Sequence, residues 1–187
     1  VEKLLERERQ SGGLSSVALR YFNAAGADPD VEIGEDHDPE THLIPRVIGT
    51  ALGQWPDVQI FGDDYPTPDG SCLRDYIHVS DLATAHVSAM QKLMNGDVAP
   101  AINLGAGIGS SVKDVIACVK QVSGKEFDVV TAGRRDGDPA SLVADTTLAQ
   151  NELSWKPQFS SLETIVETAW QWHISHQGKA KPQEAAR

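Results

Sequence analysis

The chain has 187 residues, 40% of them hydrophobic, with a formal net charge of −11 and a pI near 4.8. That length suits one domain, or one domain plus part of another, and the acidic balance argues against nucleic acid and anionic membranes as partners. An anionic small ligand stays open, since it needs only two or three local cations. Cys72 and Cys118 show neither metal-ligand spacing nor a disulfide framework, which fits a reducing cytoplasm, and no apolar run reaches membrane-span length.

In chain order, residues 1–10 read as the end of an amphipathic helix with no N-cap residue, closed by Ser11-Gly12-Gly13. Ser16 to Phe22 reads as one buried strand. Ala24 to Thr41 is polar, acidic and rich in Gly and Pro, and a loop of that length points to a functional covering segment. His42 to Gln54 has apolar residues at helical spacing (Leu43, Ile44, Val47, Ile48, Ala51, Leu52). Val58 to Phe61 is a short strand, Gly62 to Ser71 a turn-rich loop, and Asp75 to Val79 a strand. Ser80 or Asp81 is expected to cap the helix that runs to about Leu93. Strands follow at Ala101 to Leu104 and Phe127 to Thr131, and helices at Val112 to Val122, Thr146 to Leu153 and Leu162 to Ser175. The polar stretch 178–187 is expected to fray. Strands alternating with helices define an α/β fold with mostly parallel pairing.

Several short motifs stand out. Arg74 borders an apolar strand within Arg74-Asp75-Tyr76-Ile77-His78-Val79, and Arg134 and Arg135 stand between glycines in Gly133-Arg134-Arg135-Asp136-Gly137-Asp138. Arginine forks beside flat rings suit a diphosphate joined to a stacking base. Such arginines are also common on solvated turns, and short basic motifs have many false matches. Tyr21-Phe22-Asn23 stands where a strand ends, the place where open α/β sheets bind ligands; as aromatics, Tyr21 and Phe22 also fit a core. Gly105-x-Gly107-x-Gly109 follows a strand and precedes a helix, but the third glycine of a dinucleotide loop falls at Ser110, so the run reads as scaffold. Glu35-Asp36-His37-Asp38-Pro39-Glu40-Thr41-His42 is rich in oxygen and imidazole ligands, yet no helical i, i+4 pair organises them. It reads as a solvated acidic loop with no metal.

Taken together, Leu19 to Gly26, Gly34-Glu35-Asp36, His42-Leu43-Ile44-Pro45, Ile60 to Thr67, Arg74 to Val79, Asn103 to Gly107 and Arg134 to Asp138 resemble the extended short-chain dehydrogenase/reductase family. Within it they resemble the UDP-glucose 4-epimerases. The resemblance runs from about residue 1 to about residue 175. It implies the C-terminal part of a Rossmann-type fold: residues 1–25 ending the NAD-binding domain, residues 26–177 forming a UDP-sugar-binding domain, and residues 178–187 a tail. It implies that Arg74 and Arg135 bind the diphosphate and that Asn23 touches it. It implies too that Asp138 accepts from the ribose, that the strand Gln59-Ile60-Phe61 sandwiches the uracil and that Leu142 lines the sugar pocket. His42-Leu43 occupies a position that often reads Asn-Leu, which makes both residues candidate substrate contacts. The backbone at Tyr21 and Phe22 would touch the nicotinamide of NAD.

The family's N-terminal Gly-rich loop and catalytic Tyr-x-x-x-Lys have no counterpart here: four residues beyond Tyr21, Tyr65 and Tyr76 stand Ala25, Asp69 and Ser80. No catalytic residue is therefore assigned. The expectation is a full-length cytoplasmic enzyme, possible as a homodimer, that interconverts UDP-glucose and UDP-galactose through bound NAD. This chain would carry its UDP-sugar half and be inactive alone. Two other readings share the same residues: another nucleotide-sugar-modifying member of the family, and a non-catalytic nucleotide-sugar-binding module.

Overall fold

The structure, a computed structural model, describes residues 1–96 and 99–176; the expected tail lies outside them. The opening helix α1 (Glu2–Gly12) starts at Val1 without a side-chain cap and stops at Gly13, whose φ of 73° is the left-handed conformation that ends a helix at low cost to glycine. The single strand expected over Ser16 to Phe22 is two. β1 (Ala18–Tyr21) pairs in parallel with β5 (Ala101–Leu104), whereas β2 (Asn23–Ala25) pairs in parallel with β4 (Leu73–His78). The chain changes partner at Phe22, whose N–H still donates to Leu104 O. One unbroken apolar run concealed this switch because hydropathy does not record which neighbour a strand has.

Helix α2 (Leu43–Ala51) begins at His42 and carries Pro45 in its first turn, where a missing N–H costs nothing. It ends earlier than its apolar pattern implies, at a left-handed Gly53. β3 (Asp57–Phe61) forms a parallel two-stranded ribbon with β7 (Asp128–Ala132). β4 is the hub of the second sheet. Its last residues pair with β2, while Leu73, Arg74 and Asp75 pair antiparallel with β6 (Gly109–Ser111), and Leu73 and Arg74 also pair with β8 (Ser141–Leu142). The short strands β6 and β8 are too brief to show a period in sequence.

The helix after β4, α3 (Val79–Asn95), is capped by neither Ser80 nor Asp81. His78 is the N-cap, its Nδ1 accepting from the Ser80 N–H at 3.0 Å. Asp81 is instead buried and accepts from Gln158 N, Phe159 N and Ser160 Oγ at 2.8, 2.8 and 2.6 Å, which ties down the loop before α6 (Leu162–Ser175). α4 (Val112–Ser123) opens with a full capping box between Ser111 and Asp114, and α5 (Thr147–Leu153) is short.

Successive residues of a strand face opposite ways, and in β4 they seed two cores. Tyr76 joins Ala25 and the apolar faces of α2, α4 and α6, including Ile48, Val119 and Ile165. Ile77 joins Leu82, Ala85, Ile102, Leu104, Leu153 and Trp155, with Val17 and, from the first strand, Leu19 packed alongside. Each fully buried Ile, Leu or Val contributes about 1.5–3 kcal/mol over its exposed state, so both cores are substantial. No helix among the described residues is long and apolar enough to cross a membrane.

Candidate functional site

One buried carboxylate holds the site together. Asp75 is fully buried and accepts backbone N–H groups from Ala106, Gly107 and Ala144 at 2.7, 2.9 and 3.0 Å. The Gly105–Gly109 turn thus spends two N–H groups on Asp75, which leaves them unable to cradle a phosphate and supports its reading as scaffold. Gly105 is required by this packing: a Cβ there would lie 2.5 Å from Asp75 Oδ2. The same carboxylate draws the segment leading from β8 onto β4. Sequence reading missed Asp75, because its role lies in which N–H groups converge on it across 31 to 69 residues.

Beside Asp75, Arg74 is only 16% exposed at its side chain. Its Nη1 donates to Leu73 O at 2.8 Å and to Pro139 O at 2.9 Å, and its Nη2 lies 3.4 Å from Asp138 Oδ1. Its strand register pairs it with Leu142, 47% exposed. Asn23 joins from the other side, its Nδ2 donating to Asp75 O at 2.9 Å.

The loop after β7 brings the second arginine. Arg135 stacks its guanidinium 3.7 Å from the centre of the Phe61 ring, at the end of β3. Asp138 N bonds Arg135 O at 3.4 Å, closing a turn through a left-handed Gly137. Contacts therefore run without a break from Phe61 to Arg135, Asp138, Arg74 and Leu142, with Asn23 anchored to the neighbouring Asp75. Arg134 faces elsewhere. It pairs with Asp64 at 2.6 Å and covers the Tyr65 ring at 4.2 Å. This pair holds the Gly62 to Ser71 loop against the arginine loop.

The other expected residues stand outside this chain of contacts. Ile60 is buried and Gln59 exposed, as alternate residues of one strand must be. Tyr21 is 48% exposed, and its hydroxyl lies 2.6 Å from His86 Nε2. Phe22 is half-buried. Leu43 packs against the first core. His42 sits among acids: its Nδ1 lies 2.5 Å from Glu35 and 3.3 Å from Glu40. Burial, then the charge of Glu40, pushes the Glu35 carboxyl above its usual range. Trp172 on α6 donates its indole N–H to Glu35 O at 3.0 Å and lies over Gly34, where a Cβ would come within 2.2 Å of the ring.

Residues 1–105 match the NAD dependent epimerase/dehydratase family. The chain belongs to that family. It is 54% identical over 176 residues to the UDP-glucose 4-epimerase of Halalkalibacterium halodurans, covering 94% of this chain and 53% of the relative. The UDP-glucose 4-epimerase of Rhizobium leguminosarum is 50% identical over 173 residues. Among solved structures, the enzyme from Brucella ovis in complex with NAD is 47% identical with a TM-score of 0.87 over 91% of this chain and 52% of its own. The enzyme from Bifidobacterium longum, in complex with NAD+ and UDP, is 35% identical with a TM-score of 0.85 over 93% of this chain and 52% of its own. The chain thus spans about half the length of the relatives it matches, and its α/β fold is that of the family.

Proposed function

We propose that this chain is the UDP-sugar-binding half of a UDP-glucose 4-epimerase, the whole protein interconverting UDP-glucose and UDP-galactose through a transient 4-keto sugar. The observation that carries this reading is the single run of contacts linking Phe61, Arg135, Asp138 and Arg74. It holds two guanidinium forks and a flat ring around one loop, the donor set that a nucleoside diphosphate requires. The Bifidobacterium relative, a complex with NAD+ and UDP, supports the same ligand class.

In this mechanism the UDP is gripped and the hexose is free to turn. Arg74 and Arg135 neutralise the diphosphate, Asp138 accepts from a ribose hydroxyl, and Phe61 offers its face to the uracil. Asn23 reaches the diphosphate, Gln59 and Ile60 read the uracil edge, His42 and Leu43 meet the substrate beside α2, and Leu142 borders the sugar. Binding energy from the remote UDP keeps the intermediate in place while the sugar rotates. Arg135 now covers the Phe61 ring, so uracil entry requires it to swing toward the phosphates. NAD, when bound, supplies the hydride exchange at the sugar C4. Toward it the assigned contact is the strand end at Tyr21 and Phe22. The Phe22 N–H is spent on Leu104 O, so a contact from that residue falls to its carbonyl. With residues 1–25 assigned to the nucleotide-binding side, the shared core of Val17 and Leu19 argues that α3, β5 and α5 belong there too.

The test is a paired measurement on the purified chain. It should bind UDP by calorimetry and fail to interconvert UDP-glucose and UDP-galactose, since no Tyr-x-x-x-Lys is present. Conversion by the chain alone, or no heat of UDP binding from a folded sample, would overturn the assignment.

A further inference from the structure

The segment from Gly34 to His42 gathers a set of groups of which the proposed nucleotide-sugar site uses only His42. One donor atom from each of His37, Glu40 and His42 lies within 4.8 Å of the other two. The His37 and His42 rings stand 5.2 Å apart. Glu40 is a carboxylate with a side chain only 9% exposed, and its Oε1 accepts from His42 N at 2.7 Å. The ring nitrogen His42 Nδ1 lies 3.3 Å from Glu40 Oε1 and 2.5 Å from Glu35 Oε1.

Two carboxylates thus converge on one ring nitrogen, which carries at most one proton to share between them. The shortage is of positive charge, and four acids between Glu35 and Glu40 raise the local concentration of cations. The flanks are anchored. Glu35 O is held by Trp172, and His42 opens α2, whose Ile44 and Pro45 are buried. The donors between these anchors therefore stand near one another before any ligand arrives.

We propose that His37, Glu40 and His42 form a binding site for a divalent transition-metal ion of the zinc type, with Glu35 orienting His42. Two imidazoles and one carboxylate are ligands that zinc takes at about 2.0–2.2 Å, a closure that needs only side-chain rotation on an open loop. Nitrogen donors favour zinc, nickel or copper over magnesium or calcium, which take oxygen. A Glu35 oxygen on one ring nitrogen turns the other toward the metal, the usual carboxylate–histidine arrangement. The ion would clasp the covering segment to the start of α2 and fix the ring of His42, which the proposed function sets beside the substrate; metal binding is read without UDP present.

The experiment is calorimetric titration of Zn²⁺ into the metal-stripped chain. One equivalent should bind. Binding should weaken by about tenfold or more in Glu35→Gln, and by more again in His37→Ala and Glu40→Gln. His86→Ala, on α3, should leave it unchanged. Substitution by Co²⁺ should give the intense visible absorption of a four- or five-coordinate site, and excess Mg²⁺ should not displace the ion. Circular dichroism shows that each variant is folded. Failure to bind stoichiometrically, or wild-type affinity in His37→Ala and Glu40→Gln, would overturn the proposal, as would displacement by Mg²⁺.

Discussion

Strand β4 and the β3–β7 ribbon each present an arginine to the candidate site, and they do so by opposite means. Every residue of β4 is paired, Leu73 and Arg74 on both sides, and its residues Asp75 to His78 are all buried. Arg74 projects from this frame with two carbonyls and a carboxylate already holding its guanidinium. The ribbon has two strands, and β7 is exposed at four of its five residues. Arg135 leaves its end on a loop through Gly137 and rests on an aromatic face. A cation on β4 is held in place before the ligand arrives, at the cost of burying its neighbours. A cation on the ribbon can travel at little cost. The contrast teaches that one half of the site is built for position and the other for closure.

The largest effect should come from breaking the frame. Asp75→Ala leaves the N–H groups of Ala106, Gly107 and Ala144 without their acceptor, of which Ala144 is buried; each that stays shut off from water costs about 1–3 kcal/mol, against a total stability of about 5–15 kcal/mol. Chemical denaturation should show most of the stability lost. Asp75→Asn, which keeps one acceptor oxygen, should retain a measurable transition at lower denaturant. A wild-type midpoint in both would show that the hub is dispensable.

Removing the fixed cation should cost binding rather than folding. Arg74→Ala should weaken UDP by about 2–4 kcal/mol, the range for stripping one partner from a desolvated charge pair. Arg74→Lys should recover only part, because an ammonium lacks the planar fork. Calorimetry with UDP alone suffices, since Arg74 is assigned to the diphosphate. Unchanged affinity would reduce Arg74 to a strand-end brace.

On the ribbon, Phe61→Leu should change folding stability by about 0.5–1 kcal/mol through loss of the cation–ring contact. UDP affinity should fall through the lost stacking face. If stability falls as far as in Asp75→Asn, the ribbon is as rigid as β4 and the contrast fails.

The smallest effect is a slope. Burial pushes His78 below its usual value, with Asp81 and then Asp28 opposing, and both ring nitrogens are engaged, by Ser80 N–H and by Thr168 Oγ1. A depressed folded-state value means the unfolded chain binds the proton first. The contribution is complete above the ordinary histidine value of 6.5 and is lost as pH falls through the lowered one. The difference in urea midpoint between wild type and His78→Gln should therefore shrink on acidification below that value. A constant difference would mean His78 does not titrate with folding.

Much of this was legible in the residues. The helices of the apolar faces, the parallel pairing and the loop of Arg134 to Asp138 follow from period and punctuation. The structure then shows Phe61, Arg135, Asp138 and Arg74 in one run of contacts. What stayed hidden is what depends on distant partners. The break at Phe22 needs two strands from later in the chain. The cap at His78 escaped because histidine is not a common N-cap type. Asp81 sits where a capping acid belongs, yet its burial diverts it to residues 158–160. His37, Glu40 and His42 have no helical spacing, and only the bend of the loop gathers them.

Trp172 adds an optical consequence. Its indole donates to Glu35 O, lies against Gly34 and stacks on His176 with ring centres 3.7 Å apart. An indole with a fixed N–H partner and an imidazole quencher is a fluorophore whose colour and brightness report its surroundings. The other tryptophans, Trp55, Trp155 and Trp170, stand on α2's neighbouring turn, the second core and the first core. With those three replaced by phenylalanine, the emission of Trp172 becomes a private signal from the 34–35 backbone. Any ligand that draws that backbone inward or releases it would then be seen in real time, without a label.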